Sequence, residues 1–418
     1  MSYVSPSSQL LSYDQAATEV RSYAAGLRGV QHAVERVELS EAAGRVLAEP
    51  IVADRDQPPF ARSTRDGFAC RAAEASAHKI LLVAGTTRAG LAPAGPLLEG
   101  TAWEIMTGAP VPAGADAVMM VEHVEAAERS VRLLPPRTLK PGENVVARGA
   151  QGRVGDELLA AGSALHAGQI ALAAACGLTS LAVYKRPRVA ILTTGDEIVP
   201  VEAEPGAGQI RNSNGPMLAA MVEAAGGEAW VLPTAADESG ALDRALAEAA
   251  GADLLLITGG VSAGKFDLVE PALARMGGRF HFTGVRMQPG KPVVFGELPG
   301  KEATLPFFGL PGNPVSSAVT FLLFGATVLR ALCGIRETAP RFALARMAAG
   351  ANRGRNPGLT RFLPAFCDFG AGELPEVAFV PWQGSGDLTA MARTNCFLVV
   401  PEDAQGLEAG ATVRILLW

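Results

Sequence analysis

Residues 188–199 read RVAILTTGDEIV. From Val189 to Leu192 the chain is apolar without interruption, and it then runs straight into Thr193, Thr194, Gly195 and the adjacent acids Asp196 and Glu197. Unbroken rather than alternating hydrophobicity marks a strand covered on both faces, as in a parallel sheet. Ala229–Leu232, Ala252–Thr258 and Pro292–Phe295 repeat this pattern, and helical spacing fills Gly215–Ala225, Ser239–Ala250 and Leu268–Met276. Strands alternating with helices predict βαβ units and a parallel sheet. A long apolar helix from near Pro314 to near Gly334 closes this α/β domain, expected at 187–336.

Outward from it the pattern changes. Tyr13 to about Leu27 has helical spacing with Asp14 placed to cap it, and His166–Gly177 reads as a second helix ending at a glycine. Between them, residues 50–145 are rich in Pro and Gly with short apolar runs such as Ile80–Val83 and Ala117–Val121, which predicts a β-rich insertion. The flanks, 10–49 and 146–186, then form one discontinuous helical and linker domain. Residues 337–418 return to short strands and turns and are expected as a small C-terminal β-barrel domain. The fold class is therefore α/β plus β, multidomain.

Composition narrows the function. The chain has 418 residues, too many for one core, so roughly two to four domains are expected. A net charge of −6 excludes the basic excess of a nucleic-acid binder, so an anionic ligand has to be held by local cations and backbone N–H groups. The five cysteines are far apart and form no C-x-x-C pair, which points to a reducing, cytoplasmic setting. The N-terminal segment has no basic start followed by an apolar core, and Val315–Leu329 carries Ser316, Ser317 and Thr320. The expectation is a buried core helix and no membrane partner.

Ligands of open parallel sheets bind beyond the carboxyl ends of the strands. Three loops fall there. TTGDE brings Asp196 and Glu197, which can hold Mg²⁺, orient a water, or simply cap and solvate the loop. TGGVSAGKFD (Thr258–Asp267) offers Gly259, Gly260, Ser262 and Gly264 as a phosphate cradle. It resembles a P-loop, but Phe266 stands where the Mg²⁺-binding Ser or Thr belongs, and Asp267 either caps the next helix or faces the rim. GLPGNPVSS opens the long helix, with Pro311 and Pro314 stiffening a cluster of free N–H donors and Ser316 adding a hydroxyl. RMQPGKP supplies Arg286 and Lys291 beside a turn, and Arg361 with WQGSGD (Trp382–Asp387) supplies a cation and Ser385 from the last domain. STRDGFA (Ser63–Ala69) and TGAPVPAG (Thr107–Gly114) read by themselves only as turns.

In order, STRDGFA, MTGAPVPAGADAV, TTGDEIV, TGGVSAGKFDLVE, MQPGKP and GLPGNPVSS resemble the molybdopterin molybdotransferase family, which includes the E domain of gephyrin. The resemblance runs from about residue 10 to the C-terminus. It implies an elongated, four-domain homodimer whose active site lies between the α/β domain of one subunit and the insertion of the other. It implies adenylylated molybdopterin and molybdate as substrates, Mg²⁺ as cofactor, release of AMP, and contact with the upstream molybdopterin adenylyltransferase and recipient molybdoenzymes. By the same resemblance Asp66, Thr107, Glu197, Asp237 and Asp267 are the catalytic positions, with Asp66, Asp196, Glu197 and Asp267 toward metal. Lys291, Ser316, Arg361 and Ser385 surround molybdate.

Two positions depart from the family pattern. Gln288 stands where a Lys commonly precedes PGKP, with Arg286 able to replace that cation, and Gln151 stands in place of an acid. These departures leave room for a weakened paralogue that carries molybdopterin or acts as a scaffold.

Overall fold

The computed structural model describes residues 10–27, 33–260, 268–300, 303–350, 358–370, 372–404 and 406–418. Ser262, Gly264 and Asp267, all expected at the site, lie outside the described residues, as do Lys265 and Phe266.

The α/β domain is built on β1 (Arg188–Thr193), β2 (Glu228–Val231), β3 (Leu254–Thr258), β4 (Arg279–Phe282), β5 (Val294–Leu298) and β6 (Leu305–Leu310). They form one sheet in the order β2-β1-β3-β6-β5-β4. The first four are parallel. β5, by contrast, runs antiparallel to both β6 and β4, so the sheet is mixed where an all-parallel one was expected. The reason is connection length. A parallel crossover needs a dozen residues or more, and the short link from Leu298 to Leu305 allows only a hairpin.

Every residue of β3 and β6 is buried. Residues of alternating parity face opposite sides: Val189, Ile191, Leu254 and Leu256 enter one core, Ala190, Leu192, Leu255 and Ile257 the other. The first core is covered by the helix Asn214–Ala224 and by the long helix Pro314–Leu332, the second by Ser239–Glu248 and Val269–Arg275. Pro314–Leu332 is long and apolar enough to cross a membrane by composition, yet 83% of it is buried inside the protein, as expected of a core helix. Its middle, Phe321–Gly325, is π-helical.

The N-terminal helix Tyr13–Leu27 was grouped by sequence with 146–186, but it packs on the α/β domain. Tyr13, Ala16, Ala17 and Val20 join the first core, and the Tyr13 ring lies 5.3 Å from that of Phe362. Helical spacing reveals an apolar stripe without saying what covers it. The insertion forms its own six-stranded sheet around Gly67–Cys70 and Thr101–Ile105, with two small cores. The linker pairs Val34–Glu38 with Ser180–Tyr184.

In the C-terminal region, Thr360–Asp368, Glu376–Phe379, Phe342–Met347, Thr412–Leu417 and Cys396–Val400 pair in that order, and the last pairs back with the first to close a five-stranded barrel. The strand Val285–Gln288 leaves the α/β sheet to join this domain, lying parallel between Leu11–Ser12 and Thr360–Asp368. All five cysteines are buried and free.

Phe324 is fully buried where the long helix meets Tyr13 and Phe282. Replacing it by Ala should lower unfolding stability in urea by about 3–5 kcal/mol, the range for emptying a phenylalanine site in a core. A loss below about 1 kcal/mol would contradict this packing.

Candidate active site

The carboxyl ends of β2, β1, β3 and β6 are tied together by hydrogen bonds. The Thr194 N–H donates to the Thr258 carbonyl at 3.0 Å, the Ala235 N–H to the Thr193 carbonyl at 2.9 Å, and the Gly259 N–H to the Leu310 carbonyl at 3.3 Å. Helix connections leave β1 and β3 toward opposite edges of the sheet, so the crevice between them is a switch point where such folds bind ligands. The loops after β1 and β3 flank it.

At the centre lies Asn214, only 7% exposed. Its amide donates to the Thr258 hydroxyl at 2.8 Å and to the Gly312 carbonyl at 2.6 Å, while the Ser317 hydroxyl donates to the Pro311 carbonyl. One side chain thus fixes the start of a helix, the end of β3 and the proline-stiffened loop after β6. Gly259, at φ +96°, packs against Thr194 so closely that a Cβ would strike the Thr194 carbonyl. Only glycine lets those two loops meet.

The expected acids stand on this rim. Asp196 and Glu197 are exposed. The Asp196 Oδ1 accepts from the Asp237 N–H at 3.0 Å, which brings the loop after β2 to the loop after β1. Glu197 folds back over Gly195, where an added Cβ would sit 2.6 Å from its Oε2.

The C-terminal domain latches onto the opposite side. Asn313 occupies the N-cap position of the long helix but makes no side-chain cap bond. Its amide donates instead to the Ser385 hydroxyl at 2.9 Å, and the Val315 N–H donates to the Ser385 carbonyl at 3.0 Å. Asp387 shapes the Ser385 loop by accepting from the Gln383 and Ala390 N–H groups, both at 2.9 Å. Those backbone donors, Ala390 first, hold its carboxyl below the ordinary value. Arg361 is buried and pairs in register with Gln288 across the joining strand, and Ser316 is buried in the first helical turn. Pro311, Pro314, Ser316 and Ser385 therefore lie at one interdomain seam, while Arg361 sits on the barrel strand beside Gln288 and Lys291 is exposed on the turn that follows Gln288.

Arg286 stands on that joining strand, two residues from Gln288 and hence on the same face, as expected for a cation replacing the missing Lys from the same strand. Its guanidinium lies 3.9 Å from the Glu402 carboxylate, and its Nε is enclosed without a partner among the described residues. Gln151 is exposed in the linker, its N–H held by the Gln57 carbonyl at 2.8 Å.

Asp66 and Thr107 meet in the insertion domain. Asp66 Oδ1 accepts from the Thr107 N–H at 2.6 Å and from its hydroxyl at 2.8 Å, and both residues are exposed. These two bonds, the backbone one first, lower the Asp66 pKa from its ordinary 3.8. Among the described residues no hydrogen bond joins either of them to the α/β rim.

Among the described residues no group of three or more His, Cys, Asp or Glu could hold a metal ion. Adjacent carboxylates at Asp196 and Glu197, exposed to an incoming ligand, do suit Mg²⁺. That ion is ordinarily held by one or two carboxylates together with substrate phosphates rather than by a complete protein cage.

The residue that sequence reading missed is Asn214. Its signal was available in RNSNG (211–215), an Asn/Ser cluster just before a helix, but such a cluster is usually read as a cap. Asn212 does act in that way, accepting from the Gly215 N–H at 2.8 Å, whereas Asn214 turns inward.

A switch-point rim fed by four parallel strands, with a β insertion upstream and a barrel latched to its last loop, defines a multidomain protein of the class that binds its ligand beyond the strand ends of a doubly wound α/β domain. Residues 11–177 match the MoeA N-terminal region (domain I and II), 190–331 the probable molybdopterin binding domain, and 346–418 the MoeA C-terminal region (domain IV). A molybdopterin molybdenumtransferase of Nostoc sp. is 38% identical over 73% of this chain and 71% of its own length, and one of Staphylococcus aureus is 33% identical over 91% and 90%. The crystal structure of the molybdopterin biosynthesis MoeA protein from Pyrococcus horikoshii OT3 aligns with a TM-score of 0.78 at 28% identity, covering 98% of this chain and 100% of that one. The chain belongs to the molybdopterin molybdenumtransferase family.

Thr107→Ala should raise the Asp66 pKa toward its ordinary value, read by NMR titration of the carboxyl carbon. In the native protein the pKa is depressed, so the Asp66–Thr107 contribution to stability is fully present above 3.8 and is lost only as pH falls through the lower folded value. The variant keeps the residue-107 N–H, the larger of the two causes, so an unchanged titration would show that the Thr107 hydroxyl adds nothing to it.

Proposed function

We propose that this enzyme transfers molybdate onto the dithiolene of molybdopterin delivered as its adenylate, breaking the anhydride and releasing AMP. The observation that carries the reading is the single rim on which two exposed acids, a glycine pair and a rigid helix start converge. Gly259 and Gly260 allow close approach of a phosphate to the backbone. Asp196 and Glu197 would hold Mg²⁺ at the pyrophosphate, where it supplies charge neutralisation. The N–H groups opening the long helix, with Lys291, Arg361 and the hydroxyls of Ser316 and Ser385, bind and orient the oxyanion. Prolines 311 and 314 keep those donors in place before the ligand arrives. Arg286 stands in for the cation that Gln288 lacks. Five free, buried cysteines suit a reducing compartment such as the cytoplasm.

Asp66 and Thr107 bond to each other and not to the rim, which favours their delivery by the insertion domain of a second copy of the chain. The site is then shared within a homodimer. Purified protein given adenylylated molybdopterin, Mg²⁺ and molybdate should release AMP in a molybdate-dependent way. Asp66→Ala and Glu197→Ala should each be inactive alone, but mixing and re-equilibrating them should restore activity, because a mixed dimer contains one intact site. Absence of restoration would sink the shared site; tight binding without AMP release by the native protein would make it a carrier instead. Arg286→Ala should raise the molybdate concentration needed for half-maximal rate, by roughly tenfold if one charge-assisted contact is lost.

A further inference from the structure

Away from the rim the chain encloses a cavity of about 740 Å³ between the linker, the α/β domain and the C-terminus. The helices Asn214–Ala224 and Pro314–Leu332 both begin at the rim, and the cavity is lined by their later residues, from Met217 and Phe321 onward. It is therefore separate from the site described above.

Its lining is chemically mixed. Met217, Met221, Phe321 and Leu322 line it with apolar side chains, all within or against the first core. The same lining carries Arg45, Lys185, Arg186, Arg330 and Arg341, with Glu223 and Glu337 as its acidic side chains among the described residues. Among the described residues Lys185, Arg186, Arg330 and Arg341 make no ion pair. Arg330 donates to the Ala339 carbonyl at 3.0 Å, and its pKa is lowered by burial first and by Arg341 next. Arg45 is paired with Glu35, but its side chain is only 10% exposed and its Nε is enclosed with no partner among the described residues.

Arg330 is half-buried while Lys185, Arg186 and Arg341 are exposed, so the lining carries an excess of positive charge at its edge that a bound anion would neutralise. This occurs in a protein whose overall charge is −6, so it does not follow from a general basic excess. The lining residues Phe321 and Leu322 belong to the π-helical stretch Phe321–Gly325, an irregularity that is frequent at functional sites. From Leu322 to Arg330 the helix advances by about 12 Å, the length of a medium acyl chain.

We propose that this cavity binds a small amphipathic anion, its carboxylate or phosphate head held by the arginine cluster and its apolar body lying along Met217, Met221, Phe321 and Leu322. The head distinguishes this ligand from a neutral lipid, and the body distinguishes it from a free oxyanion such as molybdate.

The full-length protein is titrated with the aromatic sulfonate anilinonaphthalene sulfonate, followed by displacement with decanoate, decyl phosphate or decanol. We expect saturable binding of one probe per chain, displacement by both decyl anions, and displacement by decanol roughly tenfold weaker, as loss of a charge-assisted contact requires. The relative strength of the two anions tells carboxylate from phosphate. Ala220→Trp and Ala224→Trp, which fill the cavity from exposed positions, should abolish binding while leaving AMP release and melting temperature unchanged. Arg341 is exposed, so Arg341→Met keeps the test alive if a filled variant folds poorly, and it should weaken the anions but not decanol. The proposal is overturned by absence of saturable binding, by equal displacement with decanol, or by filled variants that bind as before. It is also overturned if filling leaves no probe site to lose but shifts the protein to a smaller assembly by light scattering, because the cavity would then house a second copy.

Discussion

The buried hydrogen bonds around Asn214 and Thr258 are the constraint on which the rest of the architecture rests. Strand pairing fixes the direction of β1, β3 and β6 but says nothing about how their loops leave the sheet. A buried amide and a buried hydroxyl are each costly unless paired, by about 1–3 kcal/mol for every group left unsatisfied. The Asn214 Nδ2 meets its share of that demand by reaching Thr258 and the Gly312 carbonyl together, and Ser317 adds the Pro311 carbonyl, whereas the Asn214 Oδ1 is buried without a partner among the described residues. The loops are thereby held by groups that cannot exchange their partners for water without loss.

The same economy recurs where domains meet. Asn313 gives up the cap bond its position invites and uses its amide to hold Ser385. Asp387 then spends both carboxylate oxygens on the loop that presents Ser385. The strand Val285–Gln288 leaves one sheet for another, so the turn bearing Lys291 is carried between the α/β domain and the barrel. Chemistry contributed from two domains is thus positioned by backbone ladders and short side-chain bonds rather than by surface ion pairs, whose net contribution is small.

Legibility differed by element. The strands at Arg188–Thr193 and Leu254–Thr258 were readable because continuous burial leaves an unbroken apolar run. TTGDE and GLPGNPVSS were readable as rim loops because each ends such a run. The antiparallel turn of β5 was missed, since an apolar run looks the same in either direction and only the length of the following link decides it. Asn214 was missed because an Asn before a helix has a common local explanation. Arg286 was read beside a turn and on the same strand as Gln288, but nothing local in RMQPGKP reveals that this strand, Val285–Gln288, pairs with Leu11–Ser12 and Thr360–Asp368.

What the sequence determined by itself was therefore periodic or ordered: strands from hydrophobic runs, helices from spacing, the order of the loops, and a family resemblance spread over the length of the chain. Tertiary structure alone decided which groups meet, namely Asp196 with the loop after β2, Asn214 with two strand ends, Asn313 with a serine 72 residues away, and Asp66 with Thr107 apart from the rim. The physical reason is range. Propensity and burial pattern act on neighbours in the chain, whereas a hydrogen bond between distant side chains depends on how the layers stack, which no single segment encodes.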